Sequence, residues 1–243
     1  MTHKLKILFY LSLLLVSLKQ ANSQKPVNIS KNDYGLPVVR KGKSYMLTIQ
    51  ADKNKQMVAL KNYVFPLTTE WKYATKNNFT NAILYTNPQA YVRLEAAKAL
   101  QQIQNELKLA GIALKFYDAY RPYHVTKQMW QIVPDDRYAA NPAKGSGHNR
   151  GTAVDVTLID IASGMELDMP TVYDDFTEKA HHSYQNLSLS VLKNRALLKN
   201  IMVKHGFIAL DTEWWHYYLP NAAQRFELLD LTFKQMKRLT RKQ

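Results

Sequence analysis

Ser146-Gly147-His148-Asn149-Arg150-Gly151-Thr152-Ala153-Val154-Asp155 is the stretch whose reading decides this fold. A histidine sits in a glycine-flanked loop, and a strand pattern follows it. Across 152–159, Val154, Val156 and Leu158 fall on one face and Ala153, Asp155 and Thr157 on the other. Asp155 is the anomaly. Aspartate is disfavoured in mid-strand and costly to bury alone, so it needs a partner. An imidazole and a carboxylate together suit zinc. Hydrogen bonds to nearby backbone, or an arginine, would also serve.

Two further segments carry chemistry. In Asp211-Thr212-Glu213-Trp214-Trp215-His216-Tyr217-Tyr218, an acid and an imidazole stand three apart in aromatic bulk. These are the ingredients of a metal site with an adjacent general base, and equally of a rim histidine under an aromatic cluster. In Tyr117-Asp118-Ala119-Tyr120-Arg121-Pro122, an arginine at a strand end is fixed by the following proline. Its planar fork suits a carboxylate or an oxyanion, and a structural ion pair with Asp118 is the plainer use.

Outward from these segments the pattern is mixed. A helix is expected after Asn87-Pro88, striped by Val92, Ala96, Leu100, Ile103 and Leu107 and stopped by Gly111. Ile112 to Tyr117 reads as a strand, and Pro122 opens a short helix through Met129. A second long helix begins at Ser188 and stops at Gly206. Phe207–Leu210 and Trp214–Leu219 read as paired strands turned at Asp211-Thr212. Ala222, Phe226, Leu229, Phe233 and Met236 stripe a terminal helix. Helices and strands without a strict βαβ rhythm give an α+β fold class.

Composition narrows the chemistry. Of 243 residues, 46% are hydrophobic and 21% charged, which excludes a disordered chain. With no cysteine, disulfide scaffolds, thiolate-bound zinc, iron–sulfur clusters and cysteine nucleophiles are all excluded. Any metal must be held by His, Asp or Glu. Lys4 and Lys6, the apolar run Ile7–Leu18 and the small residues Ala21-Asn22-Ser23 read as a signal peptide over 1–23. That places the mature protein outside the cytoplasm, in a periplasm. Residues 24–60 are polar, broken by Gly35, Pro37 and Gly42, and read as an N-terminal arm.

The formal charge of +14 falls to +11 once Lys4, Lys6 and Lys19 leave with the leader. The remaining positive residues are scattered, and no nucleic-acid motif accompanies them, so no nucleic-acid partner is expected. Lys234, Lys237, Arg238, Arg241 and Lys242 form the one local concentration. A solvated helix face explains it, and weak attraction to an anionic envelope surface is the sharper alternative. His124 and His205 read as surface or partly buried residues. The adjacent His181-His182 read as a helix start, or as one support behind the site.

Taken together, Ser-x-His-x-x-Gly-x-Ala-x-Asp followed by Glu-x-x-His resembles the zinc D-Ala-D-Ala dipeptidases. The resemblance runs from about Tyr63 to Leu219. It includes Tyr73-Ala74-Thr75, Asn78-Phe79, Tyr120-Arg121-Pro122, Leu167-Asp168-Met169, Tyr173-Asp174 and His181-His182. It implies an α+β fold of the D-Ala-D-Ala peptidase or hedgehog-like kind, a small antiparallel sheet carrying zinc between helices, with residues 61–243 as the dipeptidase domain. It implies one Zn2+ on His148, Asp155 and His216, Glu213 as general base, and Arg121 as oxyanion stabiliser. It makes Tyr73, Ser146 and Asp174 the substrate-binding residues, with Asp174 facing the substrate ammonium. The expected reaction is hydrolysis of D-Ala-D-Ala. The alternatives are a D,D-carboxypeptidase or L-Ala-D-Glu endopeptidase acting on peptidoglycan stems and, more remotely, a non-catalytic zinc-stabilised wall-binding module. The chain departs from the family in its arm before Tyr63, Asp175 and its extended basic last helix.

Overall fold

The alternating strand around Asp155 forms the middle of a five-stranded sheet in a computed structural model, which describes residues 27–241. The leader reading of 1–23, the first residues of the expected arm and Lys242 lie outside the described residues. Along the chain the elements are β1 (Val38–Val39), α1 (Gly42–Ala51), β2 (Met57–Ala59), β3 (Thr68–Thr69), β4 (Tyr91–Arg93), α2 (Leu94–Leu109), β5 (Ile112–Asp118), α3 (Tyr123–Ile132), α4 (Gly147–Arg150), β6 (Ala153–Asp160), α5 (Leu189–Lys204), β7 (Ile208–Ala209), β8 (His216–Tyr218), α6 (Ala222–Arg225), β9 (Leu228–Leu229) and α7 (Phe233–Thr240). The fold is α+β, as the pattern predicts.

The main sheet has the order β3-β5-β6-β8-β7. Four strands are antiparallel as expected, and the short β3 adds a parallel edge beside β5. Nearly all of β6 is buried on both faces, which is why its alternation is of residue type rather than of exposure. Helix α2 lays Leu100, Ile103 and Leu107 against β5, and its Gln104 Oε1 accepts the Leu114 N–H at 3.0 Å. Helix α5 packs on β6 and β7 through Leu198, Ile201 and Met202. Among the described residues no helix is long and apolar enough to cross a membrane.

Three expectations are corrected. The helix after Asn87-Pro88 starts later: Tyr91–Arg93 first pairs antiparallel with Met57–Ala59, so Val92 belongs to a strand. Buried Arg93 holds that strand in place by donating from Nε to the Arg150 carbonyl at 2.7 Å and from Nη1 to the Lys55 carbonyl. The terminal stripe is not one helix. Leu228–Leu229 pairs in parallel with Val38–Val39, and a capping box of Thr232 and Gln235 starts α7 afresh. The stretch read as an arm is built into the body from residue 27. Val39, Met57 and Leu60 are fully buried, and the Tyr45 hydroxyl in α1 accepts the Met57 N–H at 2.7 Å. Its glycines and proline punctuate short packed elements rather than a tail.

Candidate metal and substrate site

Strand register does most of the assembly. Asp118 pairs with Asp155, and Asp155 with His216, so three polar residues line up across β5, β6 and β8. A register irregularity between Phe116 and Asp118 turns the end of β5 toward this row. His148 reaches it from α4. Ser146 caps that turn, its Oγ accepting the His148 N–H at 3.1 Å, while Asn149 Oδ1 accepts the Ser146 N–H. The flanking glycines are required. A Cβ on Gly147 would stand 2.8 Å from that of Ala153, and Gly151 has φ +71° with the Met57 sulfur 2.4 Å from where its Cβ would be.

His148 and Asp155 are buried, and His216 is half-buried. His148 Nδ1 donates to the Ala119 carbonyl at 2.7 Å, which leaves Nε2 as the free lone pair. That Nε2 is 3.3 Å from His216 Nδ1 and 3.4 Å from Asp155 Oδ1, and the last two are 2.8 Å apart. Donors about 2.0–2.2 Å from a common tetrahedral centre stand ~3.3–3.5 Å from one another. Two sides of the triangle match zinc in size, the 2.8 Å side is shorter, and the donors suit zinc in type and in the fixed tautomer of His148. Among the described residues it is the one group of three metal-type donors that converges. Burial disfavours the Asp155 carboxylate, but the imidazoles of His148 and His216 outweigh this and hold it well below the usual range.

These donors open into a cavity of about 180 Å³, which Tyr73, Arg121, Ser146, Tyr173, Asp174, Glu213 and Trp215 also line. Arg121 makes the ion pair with Asp118 that the plainer reading of its sequence names. Its Nε and Nη2 hold Asp118 Oδ2 at 2.8 and 2.7 Å, and its guanidinium lies 4.8 Å from the centre of the Tyr73 ring. It faces the cavity as well, with Nη2 4.0 Å from Asp155 Oδ2. Burial pushes the Glu213 carboxyl up to about 7, with Asp155 and Asp174 adding to the push and His216 opposing it. Asp174 is also raised to about 7, by burial first and then by Asp155. Its Oδ1 accepts from the Tyr73 hydroxyl at 3.1 Å and its Oδ2 from the Phe79 N–H at 3.3 Å. Asp155, Asp174, Glu213 and Asp136 thus share the cavity with two arginines that are already paired, Arg121 to Asp118 and Arg137 to Asp135. That excess of negative charge favours a dication and an ammonium.

The family model for peptidase family M15, D-Ala-D-Ala dipeptidase, matches residues 53–237. The chain belongs to that family. D-alanyl-D-alanine dipeptidase of Escherichia coli K12 is 38% identical over 161 residues, spanning 66% of this chain and 83% of its own. The enzymes of the same name from Enterococcus faecium and Enterococcus faecalis are 29% and 30% identical over 168 residues, each spanning 61% of this chain and 83% of its own. As a family member the chain is a metallopeptidase. The matched span takes in 53–60, in line with the packing of that stretch into the body.

All eight residues singled out from the dipeptidase resemblance meet at one cavity. Ser146 has a second duty as the cap of α4. Sequence reasoning missed Tyr173, whose hydroxyl donates to Asp155 Oδ2 at 2.8 Å, and Asn149, whose Nδ2 donates to the Arg121 carbonyl at 2.9 Å. Both sit inside quoted motifs, but spacing does not reveal which atoms they reach. Of the histidine pair, His182 is buried behind β8 against the Tyr217 ring, and burial lowers its pKa to about 4, so it stays neutral. His124 and His205 pair near the surface with Asp230 and Glu106.

Proposed function

We propose that the enzyme binds one zinc ion on His148, Asp155 and His216 and hydrolyses D-Ala-D-Ala to two D-Ala. The observation that carries this reading is the donor triangle, opening into a cavity that Glu213 and Asp174 also line. Bound zinc would supply Lewis acidity to the scissile carbonyl and to the attacking water. Glu213 takes the proton of that water on a carboxylate oxygen and passes it to the leaving nitrogen. Its raised proton affinity suits the second transfer, and a bound cation would lower that affinity for the first. Arg121, held by Asp118, presents the remaining face of its guanidinium to the developing oxyanion. Asp174 and Tyr73 receive the substrate ammonium.

A cavity of about 180 Å³ lies below the ~300–1,000 Å³ of sites that take drug-sized ligands, which favours a small guest. The names of the relatives support the same substrate. The basic and then apolar opening of the sequence supports work outside the cytoplasm. Purified protein, with and without chelator, should be offered D-Ala-D-Ala and a stem pentapeptide ending in D-Ala-D-Ala. Chelator-sensitive release of D-Ala from the dipeptide alone is expected. Equal rates on the pentapeptide would transfer the assignment to a D,D-carboxypeptidase.

A further inference from the structure

Tyr173 is buried, as is Tyr73, and together their hydroxyls bridge two carboxylates with different duties. Asp155 Oδ2 to Tyr173 Oη is 2.8 Å, Tyr173 Oη to Tyr73 Oη is 3.1 Å, and Tyr73 Oη to Asp174 Oδ1 is 3.1 Å. Asp155 Oδ1 faces the two histidines, so Tyr173 occupies the oxygen that does not. A phenol hydroxyl carries a single proton and donates it once.

A proton count follows. Three oxygen–oxygen contacts need three protons, and the two phenols supply two. With both carboxylates ionised, Tyr173 donates to Asp155, Tyr73 donates to Asp174, and the Tyr73–Tyr173 contact is left empty. A donor at the Asp174 end completes the chain. An ammonium seated against Asp174 and Tyr73 donates to both, which frees Tyr73 to donate to Tyr173 and Tyr173 to Asp155.

Resting on the zinc ligation proposed above, we propose that Tyr173 is a positioning residue that holds Asp155 as a one-oxygen ligand, and that Tyr73 ties this ligand to the amine-binding end of the cavity. Losing the Tyr173 hydroxyl frees Asp155 to rotate or to offer both oxygens. Outer partners of metal ligands typically carry ~10–100-fold in metal affinity or activity. Chained hydroxyls also strengthen one another, so the Tyr73 link reaches Asp155 without touching it.

The test measures zinc affinity by chelator competition, with kcat and KM on D-Ala-D-Ala, for wild type, Asp155→Ala, Tyr173→Phe, Tyr73→Phe and the double variant. Each Tyr→Phe change removes one hydroxyl, and circular dichroism checks the fold. Wild type should bind one zinc and Asp155→Ala none. If wild type binds no zinc, the ligation reading itself fails. Tyr173→Phe should weaken zinc by ~10-fold or more and lower kcat, while Tyr73→Phe, whose link to Tyr173 forms only with an ammonium bound, should raise KM and leave the zinc affinity of the substrate-free enzyme within about twofold. In kcat/KM the double variant should lose less than the product of the single losses. Zinc affinity within twofold of wild type in Tyr173→Phe, with wild type binding normally, overturns the positioning role. Multiplicative losses in the double variant overturn the link to the amine end.

Discussion

The two ends of the cavity are built in opposite ways. At the proposed metal end, Asp155 and His216 sit on hydrogen-bonded strands in fixed register, and His148 sits on a capped turn braced by glycines. At the proposed amine end, Asp174 has a left-handed backbone (φ +62°) in an irregular segment, and Tyr73 lies on a single 3-10 turn, Lys72–Ala74. Backbone ladders hold the donor triangle in place without help from any guest. The amine end is held by side-chain hydrogen bonds, two of which belong to the chain linking it to Asp155. A rigid chemical centre beside a loop-built specificity pocket is a division that lets substrate choice vary while the chemistry stays fixed.

The largest expected effect tests the metal end. Asp155→Ala should lose zinc and D-Ala release together, since it supplies a third of the protein ligation. Glu213→Gln should keep its zinc and lose ~10²–10⁴-fold in turnover, because it removes only the proton transfer. Metal content and product release on the same preparations separate the two roles. Full zinc occupancy in Asp155→Ala would break the comparison by removing Asp155 from ligation.

The contrast between the ends also explains what the sequence disclosed. Asp155 was legible because a carboxylate in a buried strand violates propensity, and His148 because two glycines mark a backbone that only they permit. The long helices were legible from period and from the glycines that end them, and α5 also from its Ser188 cap. Tyr173 was not, because no periodicity relates an irregular loop to an oxygen on β6, eighteen positions earlier. The breaks at Tyr91–Arg93 and Leu228–Leu229 were hidden for a related reason. Both segments carry an apolar stripe compatible with a helix, and strand pairing with the distant β2 and β1 overrode it. Residues 27–60 misled through composition, since short packed elements between glycines look like a polar arm.

A middle-sized effect tests the amine end. Asp174→Asn tolerates the left-handed backbone and removes the charge, whereas alanine would add strain at φ +62°. A hydrogen bond to a charged group is worth ~1.5–3 kcal/mol, so kcat/KM on D-Ala-D-Ala should fall by ~10–100-fold. N-acetyl-D-Ala-D-Ala, which lacks the ammonium, should be a poor substrate of wild type and should lose little further. The gap between the two substrates therefore narrows in the variant. Equal losses on both would show that Asp174 shapes the cavity rather than reading charge.

The smallest effect concerns stability, and its sign is fixed by linkage. The Asp174 carboxyl is raised from 3.8 to about 7 in the folded protein, so between those values the native state binds more protons than the unfolded chain. Stability then falls as pH rises across that window and levels off above about 7. Glu213, also raised to about 7, acts in the same direction. Asp174→Asn removes one of the two contributions. Metal-free Asp174→Asn should therefore gain on wild type between pH 5 and pH 8, by ~1–3 kcal/mol at the upper end, or several degrees of melting temperature. Zinc should shrink the gain, because the cation offsets the repulsion from Asp155 that helps to raise Asp174. Metal-free melting curves whose difference stays constant from pH 5 to pH 8 would mean that Asp174 ionises as an ordinary exposed carboxylate. The amine end would then lack the buried charge on which its choice of a free dipeptide depends.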